Sequence, residues 1–138
     1  MRTFTLTMLD GHRTVDIDDI TSLVATDASG AFGVQAGHAD LLTVIEPGLF
    51  RYRTRQAPDW HFGASLGGML HCRTLHEHTA VRIVSGRFLF GPDPAALQSA
   101  FEELLENENQ LRISTRESRL QLEFVLYKRM QELARAVP

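Results

Sequence analysis

The sequence has few of the features that mark extracellular, membrane-spanning or nucleic-acid-binding proteins. Its 138 residues include one cysteine, Cys72, so an internal disulfide framework is excluded and a reducing compartment, by default the cytoplasm, is expected. No apolar run approaches the ~18 residues of a spanning helix, and the N-terminus alternates instead of forming the apolar core of a signal peptide. Any membrane association is therefore expected to go through a partner protein.

The charge balance also lacks a basic excess. Lys and Arg number 14 against 17 Asp and Glu, which gives a formal net charge of -3. A nucleic-acid binder that depends on positive charge is therefore not expected. With 43% hydrophobic residues, the chain has the composition of an ordinary globular domain that can bury a core.

The first two thirds of the chain have an apolar period of two, which predicts short β-strands. Turn signals separate these runs, and Asp10-Gly11 between two alternating runs is a strong hairpin signal. We therefore predict a mainly β fold with an added α region, in which residues 1–91 form an N-terminal β-sandwich. The alternating apolar residues are Phe4, Leu6, Met8, Val15, Ile17, Trp60, Phe62, Ala64, Leu66, Val81 and Ile83.

The remaining residues, 92–138, have a helical period and no glycine. Asp93 is the expected N-cap, with Pro94 at the first helical position. Asn107 and Asn109 weaken this helix, and Ser114 with Glu117 resembles a capping box that would begin a second one. We predict a C-terminal antiparallel two-helix hairpin, with a merger into one long helix as the alternative. The first helix has its apolar face at Leu97, Phe101, Leu104 and Leu105, and the second at Leu122, Leu126, Met130, Leu133 and Val137.

One stretch, GAFGVQAGHAD at residues 30–40, carries three glycines and a histidine. A phosphate-binding P-loop is disfavoured because Gly37 is followed by His38 and Ala39 and not by Lys and Ser or Thr. The glycines can supply positive φ angles in turns, and they would also let a partner approach the backbone closely.

A second cluster, HCRTLHEH, contains His71, Cys72, His76 and His78, all of which can bind zinc. On an extended strand His71 and Cys72 point to opposite faces, which argues against a site. A small metal-binding enzyme or sensor built on these four residues is kept as an alternative. The serines Ser65 and Ser85 lack the context of a nucleophile, so no catalytic residue, cofactor or resident metal is expected.

The helical region also carries three arginines, Arg112, Arg116 and Arg119, on one side of a helix. They form either a solvated face or a basic stripe that binds an acidic surface on a partner.

The order of residues resembles the epsilon subunit of bacterial F-type ATP synthases, over the layout of the whole chain. The segments concerned are TDASGAFGVQAGHADLLTVIEPGLFRYR and SLGGMLHC, followed by a two-helix tail. The residues that make this resemblance specific are Gly30, Gly33, Gly37, His38, Leu41, Leu42, Pro47, Gly48, Gly67, Gly68 and Leu70.

This resemblance implies a non-catalytic rotor subunit of the central stalk, at the cytoplasmic face of the inner (plasma) membrane. It would couple ion translocation to ATP synthesis or hydrolysis, and would restrain hydrolysis. The implied partners are the gamma subunit and the c-ring for the sandwich, and the alpha and beta subunits for the C-terminal helices. The residues expected at the c-ring and stalk contact are Gly30, Ala31, Phe32, Gly33, Gly37, His38 and Asp40.

The chain departs from the family pattern in places. Ala31, Ala36 and Asp40 stand where relatives usually carry an acidic residue and prolines. Asp93–Leu97 lacks the arginine of the ATP-binding motif of some members, so ATP sensing by that motif is not expected. Residues 81–93, VRIVSGRFLFGPD, resemble the N-ATPase branch. A β-sandwich adaptor unrelated to any ATPase is a third hypothesis.

Overall fold

The structure, a computed structural model, describes residues 2–136, with the side chains of residues 114, 115, 135 and 136 outside the description. The chain divides into two compact units, Met1–Glu102 and Glu103–Pro138. The predicted boundary at residues 91–92 lies between the last strand and the helix, whereas the first compact unit also includes the first nine residues of that helix. The elements are β1 Phe4–Leu9, β2 Thr14–Asp27, β3 Gly30–Val34, β4 Leu41–Ile45, β5 Gly48–Thr54, β6 His61–Ser65, β7 Gly68–Leu75, β8 His78–Ser85, β9 Phe88–Gly91 and α1 Pro94–Ala136.

The first hairpin forms where Asp10-Gly11 predicts it. The Asp10 carboxylate accepts hydrogen bonds from the backbone N–H groups of His12 and Arg13, at 2.8 and 2.9 Å. These bonds close the turn, so that Leu9 pairs with Thr14 and β1 runs antiparallel to β2. Along β1 the alternation has its predicted consequence, since Phe4, Leu6 and Met8 are buried.

Strand β2 is long enough to belong to both layers of the sandwich. Its first half pairs with β1, and its second half pairs with β5 and β3. Between the halves, Asp19 has a φ of 57°, a left-handed conformation that aspartate tolerates better than most residues. The carbonyl of Asp19 accepts the Arg55 N–H at 2.9 Å and its carboxylate accepts the Gln56 side-chain amide at 2.7 Å. Strand β2 therefore bends at Asp19 and passes from one layer to the other.

Within residues 2–136, nine strands form one hydrogen-bonded sheet that folds onto itself. Its order is β1-β8-β7-β4-β2-β5-β6-β9, β3 pairs with β2, and the β1–β2 pairing closes one side. Strand β1 runs parallel to β8. The predicted β-sandwich is confirmed, and the core lies between its layers. The residues at its centre are Leu6, Met8, Ile20, Leu23, Leu70, Cys72, Val81, Ile83 and Phe88.

The helix begins where the sequence indicates. The Asp93 carboxylate accepts the Ala95 N–H at 3.2 Å, and its carbonyl accepts the Leu97 N–H at 3.0 Å. Within the first unit, Leu97 and Phe101 are each 5% exposed. The start of α1 is therefore part of the folded sandwich unit.

The C-terminal segment differs from the predicted hairpin, because α1 is one helix of 43 residues. Asn107 and Asn109 lie inside it, and each costs only about 0.5 kcal/mol relative to alanine, which is too little to interrupt a hydrogen-bonded ladder. The backbone of residue 114 is helical, so no second helix begins there; the Ser114 side chain and Val137 lie outside the described residues. Between residues 2 and 136, no helix combines the length and hydropathy needed to cross a bilayer.

Gly68 is required by the packing of β7 against β8. A Cβ atom on Gly68 would overlap the carbonyl oxygen of Val84 and lie 2.9 Å from the Cα atom of Ser85. Both obstacles are backbone atoms, so neither can rotate away. Backbone atoms of β8 therefore exclude any side chain at Gly68.

We predict that Gly68→Ala lowers the free energy of unfolding by about 3 kcal/mol, because the two strands must separate to admit a methyl group. Urea denaturation of the full chain measures the change. Gly86→Ala is the matched control, since nothing lies within 4 Å of a Cβ at Gly86, and it should stay within about 0.5 kcal/mol of wild type. Equal unfolding midpoints for the two variants would contradict the steric argument.

Candidate functional site

The glycine-rich residues 30–40 are a strand followed by a turn, not one continuous loop. Gly30–Val34 forms β3, which pairs with the end of β2. Gly30 and Gly37 use positive φ angles of 116° and 85°, whereas Gly33 is not among the positive-φ residues. We call residues 30–40 the glycine segment. Gly30 and Gly37 therefore have a conformational reason to be glycine, whereas the backbone conformation of Gly33 gives no such reason.

The β2–β3 turn is fixed by the carboxylate of Asp27. It accepts hydrogen bonds from Ser29 and, at 2.8 Å, from the Thr43 hydroxyl on β4. These bonds to the ionised form, the Ser29 side chain first and Thr43 second, lower the pKa of Asp27 below its ordinary value. The start of the glycine segment is thereby tied to β4.

The turn at residues 35–40 is tied to the β7–β8 hairpin. Gly37 N–H donates to the Thr79 hydroxyl at 2.8 Å, and the Thr74 hydroxyl donates to the His38 carbonyl at 2.7 Å. The two hydroxyls lie 2.9 Å apart, which lets Thr79 donate to Thr74. The Asp40 carboxylate also accepts the Thr74 N–H, at 3.0 Å. The turn is therefore held rigidly although its outer side is open to solvent.

Most of the expected contact residues lie at the surface. Ala31, Gly33, Gly37 and Asp40 are exposed, while Gly30, Phe32 and His38 are half-buried. Phe32 packs against the core, and Val34 is the fully buried residue of the segment. The Nδ1 atom of His38 lies 2.7 Å from the carbonyl of Ala39, so a proton on Nδ1 would be donated to the backbone. The segment is thus available to a neighbouring molecule.

A second surface adjoins the glycine segment, and the sequence reading missed it. Leu42, Val44, Met69 and Val84 are 48–66% exposed on the outer side of β4, β7 and β8. Val44 pairs with Met69 and Met69 with Val84, so these three side chains form one row across the sheet. We call these four residues the apolar face. The run LLTVI carries the signal, since it is apolar at both alternating positions and would leave one apolar set on the outside.

A groove of about 410 Å³ lies in the apolar face, lined by Leu42, Gly68, Met69, His71, Arg82 and Val84. His71 pairs with Leu42 on one side and with Arg82 on the other. The groove is therefore apolar with a polar edge, as is typical of surfaces that bind another protein.

The structure gives the metal hypothesis no support. Cys72 is completely buried in the core, while His71 lies on the outer side and His76 and His78 lie at the β7–β8 turn. Burial, and then the nearby Asp40 carboxylate, raise the pKa of the Cys72 thiol, which keeps it protonated and a poor metal ligand. Within the described residues, no group of three or more His, Cys, Asp or Glu side chains could hold a metal ion.

The three arginines of the predicted basic stripe are exposed on α1. Together with Leu111 and Ile113 they line one shallow cleft of about 530 Å³. Arg119 also lies 3.7 Å from Glu123, one turn further along the helix. This exposed pair is weak and leaves the stripe accessible.

Two sides of α1 carry exposed apolar residues after residue 110. One set, the predicted stripe, is Leu122, Leu126, Met130 and Leu133; the other is Ile113, Leu120, Phe124 and Tyr127. All eight are 55–69% exposed. At 100° per residue the two sets are centred about 130° apart around the helix, and the sequence pattern predicted only the first set.

A β-sandwich with an open glycine segment beside an apolar face has the character of a protein-binding domain. Residues 3–86 match the family described as ATP synthase, Delta/Epsilon chain, beta-sandwich domain. The chain belongs to this family. This membership also excludes the hypothesis of an adaptor unrelated to any ATPase.

The curated proteins that this chain resembles in sequence include ATP synthase epsilon chains. ATP synthase epsilon chain 2 of Cereibacter sphaeroides is 38% identical over 93 residues, 67% of this chain and 61% of its own length. The ATP synthase epsilon chain of a Nostoc species is 32% identical over 66 residues, 48% of each chain. The chain thus spans about half to three fifths of the length of these curated relatives.

The fold also recurs in a solved assembly. A chain of the Euglena gracilis mitochondrial ATP synthase, in a structure of its OSCP, F1 and c-ring parts, has a TM-score of 0.56 and 19% identity, with 73% of this chain and 62% of that chain covered. At this identity the match establishes the shared fold.

Proposed function

We propose that this chain is the non-catalytic epsilon subunit of an F-type ATP synthase central stalk, peripheral to the membrane at its cytoplasmic face. In this role it transmits torque between the gamma subunit and the c-ring, and so couples ion translocation to ATP synthesis or hydrolysis. The observation that carries the proposal is the apolar face, which leaves four large hydrophobic side chains exposed beside a rigid turn. Family membership and the epsilon-chain relatives support the same role.

The apolar face is the proposed contact for gamma. Its side chains stand on three adjacent strands of the sandwich, so they are positioned before a partner arrives. A preformed surface loses little conformational entropy on binding, which favours a tight contact from a small area.

The glycine segment is the proposed contact for the c-ring. At Gly33 the nearest atom to an added methyl group would be the Leu23 carbonyl oxygen, 3.9 Å away, so the fold does not require glycine there. Because glycine has no side chain, Gly33 would instead let the c-ring approach the backbone closely. Ala31 is also exposed and carries only a methyl group, so it too would let a neighbour approach the backbone.

The C-terminal helix is the proposed regulatory element. Its exposed apolar sets need cover from other protein surfaces, and alpha and beta subunits are the expected source. The basic stripe would bind an acidic surface there and restrain ATP hydrolysis. The resemblance of residues 81–93 to the N-ATPase branch stays a prediction.

Gamma binding can be tested with one charge placed in the apolar face. We predict that Val44→Asp weakens retention of the chain by immobilised gamma at least about tenfold, because the carboxylate would be buried against apolar groups. Val44 is 66% exposed, so the free chain should unfold at the wild-type urea concentration. Leu75→Asp is the control, since Leu75 is 54% exposed on the same side of β7, about 20 Å beyond Met69. Wild-type retention of Val44→Asp would reject the assigned face.

For the c-ring contact we predict that Gly33→Val reduces co-purification of the ring with the detergent-solubilised stalk. The free chain should keep its stability, since an added Cβ at Gly33 would lie 3.9 Å from the Leu23 carbonyl oxygen and valine suits a β-strand. Gly86→Val adds the same side chain at another open position and should leave the ring bound. If the Gly33→Val variant recovers as much c-ring as wild type, the proposal that the glycine segment contacts the ring is rejected.

For the helix we predict that replacing Arg112, Arg116 and Arg119 together by Gln raises the ATP hydrolysis rate of the assembled enzyme. Lys128→Gln is the control, because Lys128 lies two and a half turns after Arg119 and so on the opposite side of the helix. If the triple variant hydrolyses ATP at the wild-type rate, the three arginines form only a solvated face and the regulatory proposal is rejected.

A further inference from the structure

A cationic cleft of about 530 Å³ lies in the sandwich unit, and the proposed function does not use it. It is lined by Arg2, Thr21, Ser22, Gln35, Ala36, Arg53, Thr54, Arg55 and Pro58. Among these lining residues, all of which the structure describes, the charged ones are the three arginines. In a chain with a net charge of -3, such a local concentration of positive charge indicates a site for an anion.

Two separate segments of the chain carry the three arginines of the cleft. Arg53 lies in β5, Arg55 directly follows the end of that strand, and Arg2 comes from the segment before β1. The bend of β2 at Asp19 supports this arrangement, because the Asp19 carbonyl binds the backbone of Arg55. The Asp19 carboxylate accepts hydrogen bonds from the Gln56 side-chain amide at 2.7 Å and from the Thr3 hydroxyl at 3.4 Å.

Arg53 is positioned by an aromatic ring. Its guanidinium carbon lies 4.0 Å from the centre of the Trp60 ring, and that of Arg51 lies 4.6 Å from the same ring. A cation–π contact orients a guanidinium without neutralising its charge. In the described part of the chain, neither Arg2 nor Arg53 has a carboxylate within salt-bridge distance. The Arg53 guanidinium is therefore oriented by Trp60 and keeps a positive charge that can bind an anion.

Neutral hydrogen-bond donors complete the lining. The Thr54 hydroxyl accepts the Ala57 N–H at 3.2 Å, which leaves its own proton free to be donated. Ser22 and Gln35 contribute a further hydroxyl and amide. Guanidinium forks surrounded by hydroxyl and amide donors match the oxygen atoms of a phosphate group.

We infer that this cleft binds a phosphate-bearing anion, with Arg2 and Arg53 as its principal ligands. The phosphate group is the shared chemistry of two sources, a free polyphosphate and an anionic phospholipid headgroup. The volume of the cleft is within the range of small-molecule sites and exceeds the need of a single inorganic phosphate.

The site adjoins the glycine segment. Ser22, Gln35 and Ala36 line both this cleft and a smaller one of about 370 Å³ that Gly33, Gly37 and His38 complete. The Arg2 guanidinium is also close to Gly37, 3.3 Å from where a Cβ atom would stand. An anion bound by Arg2 would therefore lie beside the turn at residues 35–40.

The test uses the full chain alone, so it does not depend on the proposed function. Trp60 is the single tryptophan, and its contact with Arg53 makes its fluorescence a reporter of the cleft. Pyrophosphate is titrated in low salt as the free-anion probe. Phosphatidylglycerol vesicles, with phosphatidylcholine vesicles for comparison, are the lipid probe. Saturable binding that weakens with added salt is expected for at least one probe.

The variants assign the site. Arg2→Gln and Arg53→Gln should each weaken binding about tenfold, because each removes a charged ligand. Calorimetry is the second readout for Arg53→Gln, since that change also alters the surroundings of Trp60. Arg87→Gln removes an exposed arginine outside the cleft and should bind like wild type. Selective response to pyrophosphate supports a free anion, and selective response to phosphatidylglycerol supports a headgroup. No saturable binding to either probe, or equal affinity in all variants, would overturn the inference.

Discussion

The bend of β2 at Asp19 is the constraint on which the rest of the sandwich depends. One strand supplies partners to β1 in one layer and to β5 and β3 in the other, so the layers cannot shift independently. The bend requires a left-handed residue, and the hydrogen bonds to the Asp19 carbonyl and carboxylate stabilise it. Both exposed surfaces and the cationic cleft are positioned by the strands that this bend arranges.

Rigidity is the property that these surfaces share. The turn at residues 35–40 is tied to the β7–β8 hairpin through Thr74 and Thr79, and the apolar face stands on three paired strands. A stiff unit with preformed contact surfaces suits the transmission of force between two partners. The helix after residue 102 has the opposite character, because its large apolar side chains are exposed.

Local chemistry made part of this architecture predictable from sequence. Asp10-Gly11 predicted the first hairpin, Asp93-Pro94 predicted the start of the helix, and the alternation of Phe4, Leu6 and Met8 predicted the inner side of β1. In the first two cases the controlling hydrogen bonds lie within a few residues along the chain, and in the third the alternation of a strand puts every second side chain on one side.

The rest depended on contacts between distant residues. A period of two does not reveal where β2 changes layers, and in LLTVI both sides of the strand are apolar, so the pattern could not say which set stays outside. The glycines at residues 30–37 indicated turns and did not reveal strand β3, because the turn preference of glycine is stronger than the strand preference of Phe32 and Val34. Arg2 and Arg53 are brought to one cleft only by the fold.

The most direct test of the central claim, that the apolar face is the docking surface, is hydroxyl-radical footprinting of methionines in the free chain and in the assembled enzyme. Met69 is 48% exposed on that face, and Met8 is completely buried and serves as an internal reference. The account predicts that Met69 is oxidised readily in the free chain and is strongly protected after assembly, while Met8 stays unreactive in both. Equal oxidation of Met69 in the two states would contradict it.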